Sequence, residues 1–370
     1  MELNKKRVVV AMSGGVDSSV CAYILKQEGY EVIGLTMLKS PDDFKQTDMA
    51  NGANKEANPE LDIVYDARRV AEMLDIPYHT IDLKKYFKEK VIDYFVNEYV
   101  SGHTPNPCII CNKYLKFDAL LKEALAHNAF YIATGHYARI QYRGSKGRYI
   151  LKKAKDKAKD QSYALYRLSQ FQLEHTLLPM GEYTKKEIRT IAKEANIPVA
   201  SKPDSQEICF IDTDYKDFIK HVAPEYIVAG EFVDKKGNVI GQHKGIPFYT
   251  VGQRKGLGIQ STRPLYVIKI DSKKNRILLG SEEDTYAEQF TVGSLNWITF
   301  DRLSETINVD VKIRYNFKER PAQVFPIEED RVKVIFKEPQ KSPAPGQAAV
   351  FYRGDELVGG GTIEDRVVLE

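Results

Sequence analysis

The chain has 370 residues, 43% of them hydrophobic and 28% charged, with a net charge of +3, enough for two or three domains that each bury a core. So mild a positive balance excludes a globally basic nucleic-acid binder, and any such affinity must come from local clustering. Four cysteines, Cys21, Cys108, Cys111 and Cys209, are too few for a disulfide scaffold and point to a reducing cytosol, and no apolar run reaches membrane-spanning length.

From residue 7 to about 200, strands and helices alternate. The apolar "RVVVAM" reads as a buried first strand, since "VVVAM" is shorter than a signal-peptide core. "SSVCAYILKQEG" has helical spacing and closes at Gly29. "EVIGLTML" is a second strand, and the polar segment from "KSPDDFKQ" to "NKEANPE" lacks periodicity and reads as a mobile loop. "DIVYDARRVAEMLDI" is a helix, "PYHTIDL" a strand, and "KKYFKEKVIDYFVNEYVSG" a helix. After the corner "TPNP" comes the helix "NKYLKFDALLKEALAHN", with Asn112 as its start, and then the strand "AFYIATGHYARI", broken at Gly135. The lysine-rich "KKAKDKAKDQ" interrupts the pattern. In "YTKKEIRTIAKEANIPVA", Thr184 and Glu187 have the spacing of a capping box. Such alternation predicts a parallel sheet covered on both faces.

Beyond residue 214 the texture changes to short alternating runs rich in glycine. "INVDVKIRY", "AQVFPI", "RVKVIFK" and "AAVFYRGDELVGGGTI" read as strands of a barrel or sandwich. The predicted organisation is an α/β domain over 1–213, a small β-rich domain over 214–285, and a C-terminal β-barrel over 286–370.

Two stretches carry chemistry. "VVVAMSGGVDSSV" sets Ser13, Gly14, Gly15, Asp17, Ser18 and Ser19 between a strand and a helix. Glycines let the backbone approach a phosphate, and a helix N-terminus offers unpaired N–H groups and the positive end of a dipole. Ser18 or Ser19 is suited to cap the helix and bond a phosphate oxygen. Asp17 belongs beside a phosphate only if Mg²⁺ bridges the two. No Gly-Lys-Ser/Thr follows, so this is no Walker loop. The second stretch is "TPNPCIICNKYLKF". Its Cys108 and Cys111 fit half a zinc site, a redox pair, cluster ligands, or a nucleophile with a helper. Cys21 lies with Val20, Ile24 and Leu25 on an apolar helix face and reads as core.

The glycine loop resembles the SGGxDS signature of the PP-loop ATP pyrophosphatases, which split ATP between the α and β phosphates and adenylate an oxygen. The resemblance implies that Ala11, Met12, Ser13, Gly14, Gly15, Val16, Asp17 and Ser18 bind ATP with Met37 near the adenine. It places Gly135 in the same set and Mg²⁺ at Asp17 through phosphate. Together, "TPNPCIICNKYLKF", "ATGHYARI", "KDQSYAL", "SQEICFI", "YTVGQRKGLGI" and "PGQAAVFY" are similar to the bacterial tRNA-specific 2-thiouridylases, in order and over nearly the whole chain. That family makes 2-thiouridine at the wobble position of the tRNAs for lysine, glutamate and glutamine. Adenylation converts the uracil C2 oxygen into a good leaving group, and sulfur then attacks C2.

By that resemblance Cys111 is the nucleophile and Cys209 carries the incoming sulfur as a persulfide, supplied by a cysteine desulfurase or a sulfur-relay protein. The Cys111 thiolate is favoured if Asn112 begins the helix. Asn106, Pro107 and Cys108 face the target base. His136, Lys159, Asp160, Gln161, Arg314, Tyr315 and Gln347 contact the tRNA. Many members carry Asp where this chain has Cys108. Cys108, Cys111 and Cys209 could then hold three irons of a 4Fe–4S cluster, with hydrosulfide on the fourth. An amide-forming ligase built on the same loop would need no cysteine pair, and a zinc-stabilised RNA-binding module would not consume ATP.

Overall fold

The computed structural model describes residues 3–39, 59–204, 208–211 and 214–367. Nearly all of the polar segment expected to be a mobile loop lies outside the described residues, as do residues 205–207 of "SQEICFI". The chain folds into two compact units. One comprises Met1–Val91, Cys108–Gln206 and Asp355–Leu357, the other Ile92–Pro107, Glu207–Gly354 and Val358–Glu370.

In chain order, the first unit opens with β1 (Asn4–Ala11), α1 (Val16–Gln27), β2 (Glu31–Leu38), α2 (Pro59–Met73), β3 (Tyr78–Asp82) and α3 (Lys84–Phe87). A π-helical turn, Lys88–Ile92, separates α3 from α4 (Asp93–Val100), which belongs to the second unit. The chain re-enters the first unit through α5 (Pro107–Cys111), a π-helical stretch Asn112–Ala119, and α6 (Leu120–Ala126). It continues as β4 (Ala129–Ala133), β5 (Ala138–Arg143), β6 (Arg148–Lys153), α7 (Gln170–Glu174), β7 (Thr176–Leu177) and α8 (Lys185–Glu194). Strands β3-β2-β1-β4-β7 form one sheet in that order, every neighbouring pair parallel. β5 and β6 form an antiparallel hairpin instead of prolonging β4.

Central β1 is buried on both faces through Val8, Val9 and Val10, as an unbroken apolar run in a parallel sheet should be. Helix α1 seals onto it through Val20, Cys21, Ile24 and Leu25 and ends where Gly29 turns at φ +85. Ile188 and Ala192 of α8 join the same core, a fully buried side chain the size of Ile188 stabilising by about 1.5–3 kcal/mol. The expected capping box is present: the Glu187 N–H donates to Thr184 Oγ1, and the Glu187 carboxylate accepts from the Thr184 N–H at 2.6 Å. That N–H, with the Thr184 hydroxyl and Lys155, holds the Glu187 carboxyl down at about 2.

The second unit adds α9 (Tyr215–Val222), which meets α4 in a cluster of Phe95, Tyr99, Ile211 and Ile219. Next come β8 (Gly230–Val233), β9 (Val239–His243), β10 (Tyr266–Asp271) and β11 (Arg276–Gly280), paired in the order β10-β11-β8-β9. The last six strands are β12 (Tyr286–Trp297), β13 (Ile307–Lys312), β14 (Arg320–Glu328), β15 (Arg331–Lys341), β16 (Ala348–Arg353) and β17 (Glu356–Val367). They run β12-β15-β14-β13-β16-β17, and β12 pairs with β17 to close the ring. The barrel-or-sandwich alternative is thus resolved as a closed six-stranded barrel, which leaves no edge strand exposed. Its interior holds Phe290, Val309, Val324, Val334 and Phe351.

At the end of β9, the buried His243 uses both ring nitrogens: Nε2–H donates to the Asn275 carbonyl at 3.2 Å and Nδ1 accepts the Gly245 N–H at 3.1 Å. Burial lowers its pKa, against the opposing Asn275 bond. A histidine that is harder to protonate folded than unfolded contributes stability fully above about pH 6.5 and loses it as pH falls through the depressed value. Urea unfolding midpoints should therefore drop between pH 7.5 and pH 5, and His243→Gln should flatten that dependence.

Candidate active site

The carboxyl edge of the parallel sheet gathers the predicted nucleotide residues, as open α/β sheets require of a ligand site. Ala11 ends β1, Met37 lies near the end of β2, and Gly135 follows β4. Met12 is buried, its N–H on the Leu35 carbonyl at 2.9 Å and its own carbonyl taking the Thr36 hydroxyl at 2.8 Å. Gly14 sits at φ +65, and a Cβ on it would lie 2.8 Å from the Ile63 carbonyl oxygen. The extended Gly15 is the N-cap of α1 and no side chain caps that end among the described residues. Ser18 and Ser19 do not cap the helix, as the sequence had suggested. They lie in its first turn and donate back to the Gly15 carbonyl at 3.1 and 2.8 Å, while Ser18 Oγ accepts the Ser13 N–H at 3.1 Å. N–H groups in the first turn of a helix are of the kind that phosphate oxygens accept from.

Sequence reasoning missed the charges behind this loop. Lys185 Nζ lies 2.7 and 2.9 Å from the two Asp17 oxygens and 2.7 Å from Asp204. Asp204 also binds Lys159 at 3.0 Å and Arg189 at 2.7 Å. Burial would raise the Asp204 carboxyl, but the Lys185 and Lys159 ammonium groups outweigh it and hold it at about 2. Tyr137 donates to Asp17 at 2.8 Å, and burial together with the Asp17 charge pushes its phenol up, so it stays protonated. A lysine delivered by α8 thus stands beside the loop that lacks a lysine of its own. The only sequence signal was the capping box that starts α8 one residue before it.

Cys21 is core as expected, with its Sγ 3.6 Å from the Thr134 carbonyl and its thiol pushed up by burial. Helix α5 starts at Pro107 rather than Asn112, because proline forgoes an N–H that the first helical residue does not use and presets φ. Cys108 therefore occupies the first turn and is exposed, and Cys111 lies a turn further in and is buried. The place beside a helix start that the sequence suggested for Cys111 is taken by Cys108. Cys209 is exposed in a short turn whose neighbour Phe210 packs edge-on against Phe95 at 5.4 Å. No three His, Cys, Asp or Glu side chains are grouped to hold a metal ion among the described residues; Cys108 and Cys111 belong to the first unit and Cys209 to the second.

The expected RNA residues are well braced. His136 bonds Thr134 Oγ1 at 2.7 Å, and burial, then Lys116, lowers its pKa far enough to keep the ring neutral. Asp160 accepts the Ala154 N–H at 2.9 Å and the Ser162 hydroxyl at 2.8 Å, and Gln161 accepts the Tyr137 N–H at 3.0 Å. In the second unit, Tyr315 is exposed. Arg314 donates to the Ser342 carbonyl at 2.8 Å, and Gln347 donates to the Thr104 carbonyl at 2.7 Å. Asn106 is half-buried between the buried Pro105 and Pro107.

A parallel sheet with a glycine turn at a helix start, and no Walker lysine, is the architecture of the PP-loop nucleotide-binding enzymes, here followed by two β domains. A family model described as the tRNA methyl transferase HUP domain matches residues 6–213. Models described as the tRNA methyl transferase PRC-barrel domain and the aminomethyltransferase beta-barrel domain match 216–281 and 287–363. The tRNA-specific 2-thiouridylase MnmA of Clostridium acetobutylicum is 51% identical over 360 residues, covering 97% of this chain and 99% of that protein. The protein of the same name from Acetivibrio thermocellus is 50% identical over 363 residues, covering 98% and 100%. The chain belongs to the tRNA-specific 2-thiouridylase family. Among the described residues no helix is long and apolar enough to cross a membrane.

A Cβ on Gly135 would lie 2.9 Å from the Asp17 carbonyl carbon and from the Ser18 nitrogen, forcing the start of α1 to shift. Gly135→Ala should weaken ATP binding at least about tenfold, ~1.4 kcal/mol by titration calorimetry.

Proposed function

We propose that the chain is an ATP-dependent tRNA sulfurtransferase that forms 2-thiouridine at the wobble position of the tRNAs for lysine, glutamate and glutamine, acting in the cytosol. The observation that carries this reading is the uncapped start of α1, with Asp17 and Lys185 beside it, in the same compact unit as the Cys108–Cys111 pair.

ATP lays its phosphates against the N–H groups of Gly15 to Ser18, with Met37 beside the adenine and Gly135 leaving room for the approach. Asp17 is the carboxylate that would meet Mg²⁺, which neutralises phosphate charge when bound. Lys185, released from Asp17 as that happens, is placed to follow the leaving pyrophosphate. The uridine, flipped out of the anticodon, meets Asn106, Pro107 and Cys108, with neutral His136 as a hydrogen-bonding group rather than a phosphate cation. Lys159, Asp160, Gln161, Arg314, Tyr315 and Gln347 form the remaining RNA-facing set.

The uracil C2 oxygen attacks the α phosphorus and pyrophosphate leaves. The Cys111 thiolate attacks the inner sulfur of a Cys209 persulfide, forming a Cys111–Cys209 disulfide and expelling hydrosulfide. Hydrosulfide adds at C2, AMP departs, and a thiol reductant restores the cysteines. The persulfide sulfur comes from a cysteine desulfurase or a sulfur-relay protein. The exposure of Cys209 suits an exchange with such a donor. The other reading, with Cys108, Cys111 and Cys209 holding an iron–sulfur cluster, is decided by an iron count.

Nucleoside mass spectrometry of tRNA incubated with ATP, Mg²⁺ and a persulfide donor tests the reading. Cys111→Ser and Cys209→Ser should each lower 2-thiouridine formation at least about a hundredfold while tRNA binding persists; either variant turning over normally would remove that cysteine's role. Anaerobically purified protein should carry no stoichiometric iron, and three or four irons per chain would replace the persulfide with a cluster. Asp17→Ala and Lys185→Ala should each slow tRNA-dependent pyrophosphate release about ten- to a hundredfold, ~1.4–2.7 kcal/mol. Their effects should not add in the double variant, because the two side chains share one contact. Pyrophosphate release without tRNA, onto an amine acceptor, would favour the amide-forming alternative.

A further inference from the structure

Directly before α5 the chain turns a corner over residues 103–107, and within the second unit this corner is seated on the turn between β15 and β16. Prolines at 105 and 107 deprive it of two backbone N–H donors, and on its own side it is held at His103, whose N–H donates to the Glu98 carbonyl at 2.9 Å. The barrel turn supplies the missing bonds. The Thr104 N–H donates to the Pro345 carbonyl at 2.8 Å, and Gln347 Nε2 donates to the Thr104 carbonyl at 2.7 Å and the Pro105 carbonyl at 3.4 Å. Gly346, at φ +88, is backed so closely onto the corner that a Cβ would lie 2.8 Å from His103 Cβ and 2.9 Å from the Thr104 nitrogen.

The seat itself is fixed from two sides. The Gly346 N–H donates to the Ile363 carbonyl at 2.9 Å and the Ile363 N–H to the Gln347 carbonyl at 2.8 Å, pinning the turn to β17. Arg314 holds the Ser342 carbonyl at 2.8 Å and the Val251 carbonyl at 3.4 Å. Thr250, beside Val251, reaches the corner through its hydroxyl, 3.3 Å from that of Thr104.

We infer that Gln347 is a positioning residue for thiolation: it sets the backbone of Thr104 and Pro105, and through them the presentation of Asn106 and Pro107. The inference rests on the sulfurtransferase reading and gives Gln347 a task besides touching RNA. A group that only touched RNA would act on tRNA affinity. A group that orients the base-facing corner acts on turnover, since a misplacement of about 1 Å at a reacting centre costs up to about a hundredfold in rate.

The test is steady-state 2-thiouridine formation and equilibrium tRNA binding by Gln347→Met, which keeps the bulk and removes the donor, and by Gly346→Ala, which crowds the corner from behind. The expected result is a kcat at least tenfold lower in both, with the KM and Kd for tRNA within about twofold of the parent and thermal midpoints within a few degrees. If Gln347→Met fails to fold, Gly346→Ala carries the same kcat-against-KM comparison. Unchanged kcat, or a tenfold rise in tRNA KM at unchanged kcat, overturns the inference. A parent protein that forms no 2-thiouridine in this assay overturns the functional reading first, and this inference with it.

Discussion

Three consecutive valines of β1 are shut away from water on both faces of the sheet, between β2 and β4. A strand so placed has no polar face to expose and no free edge, so its register is fixed: a slip of one residue would break both ladders at once. Everything at the catalytic edge inherits that register. Ala11 pairs opposite Leu35, the Met12 N–H closes onto the Leu35 carbonyl, and the glycine turn begins there because the next residues have left the sheet. The same apolar core draws α8 against α1 through Ile188 and Ala192, and so a lysine 168 positions along the chain arrives at Asp17. Packing places the charges, and the charges then define the chemistry.

Those charges are arranged for exchange rather than for stability. Lys185 is shared between two carboxylates and is largely buried, a setting in which the cost of desolvating the charges offsets much of their attraction. What it gains is readiness: an anion with several oxygens can take the ammonium group without leaving a buried carboxylate bare, because Asp204 keeps Lys159 and Arg189. Tyr137 plays the matching part for Asp17, since its phenol stays protonated and goes on donating.

Local signals made much of this readable from the amino acids. "EVIGLTML" is β2 to the residue, Gly29 turns left-handed after α1, and Thr184 with Glu187 starts α8. What escaped depends on partners distant in sequence. Pro107 looked like part of a corner, and only the helix that follows makes it a first helical residue. Strand β12 was overlooked because Gly293 and Ser294 break its alternation, and Ser294 is left-handed at φ +51. The first residues of β5, "ARI", read as the tail of β4, and β6 carries no expectation of its own. The loop glycines and the cysteine pair could be picked out by type and spacing, but nothing local says that Lys185 and Asp204 belong to the same site.

The first unit is stitched from three separate pieces, the last being only Asp355–Leu357. That short piece accepts the Lys153 N–H at Asp355 and pairs Glu356 with Arg143. The β5–β6 hairpin therefore takes its outer partner from far along the chain, Arg143 and Glu356 being 213 positions apart. A pairing of that range closes a long loop, whereas β5 and β6 meet across a short one, so the hairpin can form early and its completed edge comes late in folding.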